Sequence, residues 1–102
     1  MINEQDYEAF EWIKNNVGPE YMKAILEPWK GAAFTAITGK NVYTWILGYP
    51  LPKDVEAREF LSSNCTDTAF LRENGISIVY AENECNNPSL KKVREHVYLL
   101  EE

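Results

Sequence analysis

The residue types best suited to chemistry sit just after short apolar runs. Glu27, Trp29 and Lys30 follow "MKAIL", Tyr49 follows "NVYTWI", and Glu82, Asn83 and Glu84 follow "ISIVYA". In an open parallel sheet, ligands gather outside the C-terminal ends of strands. If those runs are strands, these residues share one rim. Aromatic faces beside acids and amides suit a sugar or a polar headgroup. Glu82 and Glu84 are close enough in sequence to share a divalent cation, but nothing near them supplies a full oxygen shell. A metal-assisted hydrolase built on those two acids is the least supported reading. No metal and no cofactor is expected, and the plain alternative is a solvated acidic rim.

The stretch "LEPWKGAAFTAITGK" raises a second possibility, a phosphate-binding loop. A Walker loop has four residues between its first glycine and the Gly-Lys pair, followed by Ser or Thr. Here seven residues separate Gly31 from Gly39, and Asn41 follows Lys40. Gly39-Lys40 also falls where a helix would end, at the negative pole of its dipole. A packed helix explains the stretch better: Gly31, Ala32, Ala33 and Ala36 allow close approach to a sheet, and Gly39 reverses the chain.

Nucleophilic catalysis has little to work with. His96 is the sole histidine and lies near an expected helix end. Ser62, Ser63, Ser77 and Ser89 have no visible base partner, so no catalytic residue is assigned. Cys65 and Cys85 are too few for a zinc site and lack a C-x-x-C spacing. They are either free thiols or a disulfide. Cys65 precedes an expected helix and Cys85 follows the strand that runs back beside it. Both then lie at one sheet edge, where a bridge would contribute about 3 kcal/mol and imply an oxidising compartment. Asn64-Cys65-Thr66 fits the N-x-Thr acceptor pattern, making Asn64 a glycosylation candidate.

The elements that must position these groups follow from periodicity and punctuation. Asn3 caps a first helix to about Asn16, with Tyr7, Phe10, Ile13 and Val17 facing the core. Met22 to Glu27 reads as a buried strand stopped by Pro28. A short helix runs from Trp29 or Lys30 to Thr38, and Val42 to Ile46 forms a second strand. Asp54 caps a third helix to about Ser62, and Thr66 or Asp67 caps a fourth that ends at Gly75. Ile76 to Tyr80 is the clearest strand. Asn87-Pro88 opens a last helix to about His96, and "VYLLE" closes the chain as an edge strand. This alternation predicts an α/β fold: a three-layer α/β/α sandwich around a small, mostly parallel sheet of about four strands, the first and third central.

Composition agrees with one unit. The 102 residues are 45% hydrophobic and 25% charged, and no apolar run is long enough to span a bilayer. Residues 1–102 are expected to form one soluble α/β domain without a signal peptide. The net charge of −6 argues against a nucleic-acid partner. The one basic cluster, Lys91, Lys92 and Arg94, reads as the solvated face of the last helix.

The ordered elements carry a resemblance. Ala9, Trp12, Ile13 and Asn16, then Trp29, then Thr38-Gly39-Lys40 with Val42-Tyr43, and later "FLRENGISIVYAE" and "SLKKVREHVYLLE", resemble the segment after the last membrane helix of GT-C-type glycosyltransferases. That group includes oligosaccharyltransferase catalytic subunits and archaeal dolichyl-phosphate-mannose mannosyltransferase-like proteins. The resemblance spans about Asp6 to Glu101. At the turn where oligosaccharyltransferases keep Trp-Trp-Asp-Tyr-Gly, this chain has Pro28-Trp29-Lys30-Gly31. Recognition of an acceptor sequon is therefore not implied. What the resemblance implies is a non-catalytic extracytoplasmic domain excised from a larger membrane protein. Its partners would be its own transmembrane domain and an acceptor glycan or lipid-linked sugar. The alternative is a free-standing cytoplasmic α/β binding or protein-interaction domain with reduced cysteines.

Overall fold

Local capping sets where the chain turns into helices. The computed structural model describes residues 2–45 and 51–101. In α1 (Glu4–Asn16), Asn3 Oδ1 accepts the Asp6 amide at 2.8 Å and Asp6 Oδ2 accepts the Asn3 amide at 3.1 Å. This reciprocal box satisfies donors that the first turn leaves without partners. After β1 (Lys23–Ile25), Pro28–Lys30 form a single 3-10 turn that leads directly into α2 (Gly31–Thr38). Gly39 stops α2 at φ 75°, a left-handed conformation in which a side chain would be strained.

Then come β2 (Asn41–Val42), α3 (Pro52–Ser62), α4 (Thr68–Glu73), β3 (Ile78–Tyr80), β4 (Leu90–Arg94) and β5 (Val97–Leu100). Asp54 does not cap α3 as the sequence suggested. Leu51 holds that position, and Asp54, three residues in, accepts the Leu51 amide and the Thr44 hydroxyl, each at 2.6 Å. These bonds hold the buried Asp54 carboxyl below the ordinary aspartate range. Asp67 caps α4 through the Phe70 amide.

Among the described residues the sheet has five strands, in the order β2-β1-β3-β5-β4. β2, β1 and β3 are parallel, while β5 is antiparallel to both β3 and β4. It is a mixed sheet, not a mostly parallel one of four strands, although β1 and β3 are interior as expected. Side chains alternate along the interior strands and feed two cores. Ala24, Ile78 and Val97 face Phe10, Ile13 and Phe34 of α1 and α2. Ile25, Val79 and Tyr98 face Ala57 and Phe60 of α3 and Leu71 of α4. Helices therefore cover both faces.

The expected helix from Asn87 to His96 is a correction. That segment is β4, joined to β5 by the turn at Glu95-His96, with His96 at φ 69°. A register shift between Lys92 and Arg94 kinks β4. The closing strand β5 is consequently interior, and β4 is the edge. Lys91, Lys92 and Arg94 lie on that edge strand, where charge discourages pairing with another chain.

Smaller expectations also change. Tyr7 is 51% exposed and not in the core. Of the small residues in α2, Gly31 is the one required by packing: a Cβ there would meet Trp45 Cβ at 2.8 Å and the Thr44 carbonyl oxygen at 2.9 Å. Ala32 and Ala36 are exposed. Lys40 is buried, and its Nζ donates to the Gly18 and Tyr21 carbonyls at 2.9 and 2.8 Å. It ties the α1–β1 loop to the end of α2 and is not free to meet a phosphate. Ile46 and Tyr49 lie outside the described residues.

Candidate functional site

Two chain reversals at the C-terminal ends of β1 and β3 create a cleft of about 350 Å³. β1 delivers Glu27, the 3-10 turn after it delivers Lys30, and β3 runs out into Tyr80, Ala81, Glu82 and Asn83. The opposite wall is the last part of α3: Arg58, Leu61 and Ser62. α3 starts beside Thr44, just past β2, and ends over β3. Its middle packs on the sheet through Ala57 and Phe60, and its last turn reaches this rim.

Two ion pairs span the cleft. Arg58 Nε donates to Glu27 Oε1 at 3.1 Å, and Lys30 Nζ lies 3.3 Å from Glu82 Oε1. Lys30 is also anchored from behind by Asp6, with Nζ at 3.1 and 3.2 Å from its carboxylate oxygens. The buried Tyr80 hydroxyl donates to Asp6 Oδ1 at 2.6 Å. Burial alone would raise the Asp6 pKa. The bonds from Tyr80, the Asn3 amide and Lys30 outweigh it and hold the carboxyl below its ordinary value. Tyr80 moves the other way, raised well above the usual phenol value by burial and by the neighbouring Asp6 charge. Asp6, Lys30 and Tyr80 thus form a fixed charged floor, with Glu82 as its exposed outer member.

Of the residues chosen from sequence, Glu27, Lys30, Glu82 and Asn83 line this cleft. Trp29 does not; it is 55% exposed on the outside of the turn. Glu84 points elsewhere, bonded to Lys92 and within 3.3 Å of the Tyr98 hydroxyl. The Lys92 hydrogen bond holds its pKa below the ordinary glutamate value. Glu82 and Glu84 are drawn to different lysines, and no group of three or more metal-ligating side chains occurs among the described residues. Sequence reasoning missed Arg58, Ser62 and Tyr80 in the lining and Asp6 behind it. The place of Asp6 in the first turn after the Asn3 cap is a helix-start signal and does not mark a site.

The loop after β3 is anchored firmly. Cys65 and Cys85 form a disulfide with Cα atoms 5.1 Å apart. Asn87 Nδ2 donates to the Cys65 carbonyl and to the Thr68 hydroxyl, and the Asn86 amide donates to the Asn64 carbonyl. Asn64 and Cys65 both adopt left-handed backbone, φ 64° and 60°, and Asn64 is exposed. His96 Nδ1 lies 2.8 Å from the Ala81 carbonyl oxygen and steadies the start of the same loop.

No helix among the described residues is long and apolar enough to cross a membrane. Comparison with protein-family models, with curated proteins and with solved structures finds no match.

Proposed function

We propose that this chain is a non-catalytic binding domain that holds a sugar-bearing ligand at the C-terminal rim of β1 and β3. In this reading it serves on the extracytoplasmic face as an accessory domain of a GT-C-like membrane glycosyltransferase. The observation that carries the reading is the cleft itself. Its lining combines donors and acceptors around a small volume: Glu27, Lys30, Arg58, Ser62, Glu82 and Asn83. Such a lining matches the mixed hydrogen bonding of a sugar hydroxyl array. The Cys65–Cys85 bond supports the extracytoplasmic placement, because structural disulfides persist in oxidising compartments. The turn at Trp29-Lys30, where the resembling enzymes keep their acceptor motif, forms one side of the cleft through Lys30.

The test is an amide-shift titration with short glycans and soluble lipid-phosphate sugar analogues. Shifts should concentrate at Glu27, Lys30 and Tyr80 to Asn83. A response confined to another surface refutes the site. Hydrophobic segments encoded upstream of Ile2 would support the membrane-protein context, and a native start at Met1 without them would refute it.

A further inference from the structure

The two cations of the cleft are not equally occupied. Lys30 is held twice, by the buried Asp6 and by Glu82. Arg58 spends only Nε, on Glu27; its terminal amino groups make no hydrogen bond to protein among the described residues. The Arg58 and Glu27 side chains are 43% and 38% exposed, and that of Glu82 is 79% exposed. Exposed ion pairs of this kind are weak and exchange readily. A guanidinium with free terminal donors matches an oxyanion bidentately.

We propose that the cleft takes a ligand bearing an oxyanion, a phosphate ester or a carboxylate, gripped by the terminal amino groups of Arg58 with Lys30 as the second cation. This rests on the reading of the cleft as a binding site. Glu27 and Glu82 act as built-in competitors: they hold the cations in place while the cleft is empty and swing toward solvent when the ligand arrives. Their remaining charge opposes the ligand, so a bare anion binds weakly and the attached sugar supplies the rest through Asn83 and Ser62.

The experiment compares glucose, glucose 1-phosphate, glucuronate and inorganic phosphate by amide shifts at constant ionic strength. Glucose 1-phosphate should move Arg58 to Ser62 and Tyr80 to Asn83 and bind more tightly than glucose. The glucuronate arm separates a carboxylate source from a phosphate source. Arg58→Gln should weaken binding about tenfold or more. Glu27→Gln should strengthen it severalfold, a direction that mere loss of structure does not produce. Equal affinity for glucose and its phosphate, unchanged by Arg58→Gln, overturns the oxyanion assignment and leaves the sugar-binding reading standing. Weaker or unchanged binding by Glu27→Gln also overturns the assignment. Silence of these amides toward every ligand overturns both readings.

Discussion

Replacing Asp6 by Asn tests whether the charged floor stabilises the fold as the geometry requires. The carboxylate accepts from the Tyr80 hydroxyl at 2.6 Å, the Asn3 amide at 3.1 Å and Lys30 Nζ at 3.1 and 3.2 Å. Hydrogen bonds to a charged group are each worth about 1.5–3 kcal/mol. Asn keeps one carbonyl oxygen, so it retains part of this set but presents an amide to Lys30 or to the Asn3 amide. The expected loss is about 3 kcal/mol at neutral pH. For a domain of this length, that lowers Tm by roughly 10–25 °C. The pH dependence provides the sharper check. The folded-state pKa of Asp6 lies below its ordinary 3.8, so the ionised form favours folding. That contribution is complete at neutral pH and is lost as pH falls through the depressed folded value. Urea unfolding of wild type and Asp6→Asn, followed from pH 7 down to about pH 2.5, should show their difference shrinking as pH falls. Other perturbed acids, Asp54 and Glu84 among them, are common to both proteins and cancel in the difference. A gap that stays constant with pH, or is below about 0.5 kcal/mol throughout, refutes the role given to the charge.

Gly31→Ala should cost about 1–3 kcal/mol, because its Cβ would meet Trp45 Cβ at 2.8 Å and the Thr44 carbonyl oxygen at 2.9 Å; thermal melts read this directly. Gly39→Ala, with open space around it but φ 75°, should cost only about 1–2 kcal/mol. Lys40→Met should release the Gly18 and Tyr21 carbonyls and cost about 1–3 kcal/mol, with faster hydrogen exchange at Tyr21 as the local readout. Reduction of Cys65–Cys85 should lower unfolding stability by about 3 kcal/mol, measured as a shift in urea midpoint with and without reductant; an unchanged midpoint refutes the cross-link's contribution.

The helices and the parallel part of the sheet were legible because their signals are local. Asn3, Gly39, Asp67 and Gly75 each sit at an element boundary as their side chains or backbones require. The last helix was misread for an equally local reason. Asn87-Pro88 looks like a helix start, and Lys, Arg and Glu are good helix formers. In the fold, Asn87 turns its side chain on the chain itself, accepting the Ser89 amide and donating to Cys65 and Thr68. Pairing with β5 then overrides propensity. One warning was present: a helix ending at His96 leaves no connection before Val97. The strand-end rule found Glu27, Lys30, Glu82 and Asn83 because it needs only strand order. Arg58 and Ser62 reach the cleft through the docking of α3 on the sheet, which is a tertiary matter and leaves no local mark.

The interior position of β5 governs how this chain can assemble. Val97 and Leu99 pack into one core, Tyr98 and Leu100 into the other, and β4 reaches the sheet only through β5. Without β5, β3 therefore keeps one edge unpaired. Both cores then lack the side chains that β5 contributes, so the two halves of the fold are coupled through this one strand. Truncation before Val97 leaves the β3 edge free to pair with other chains.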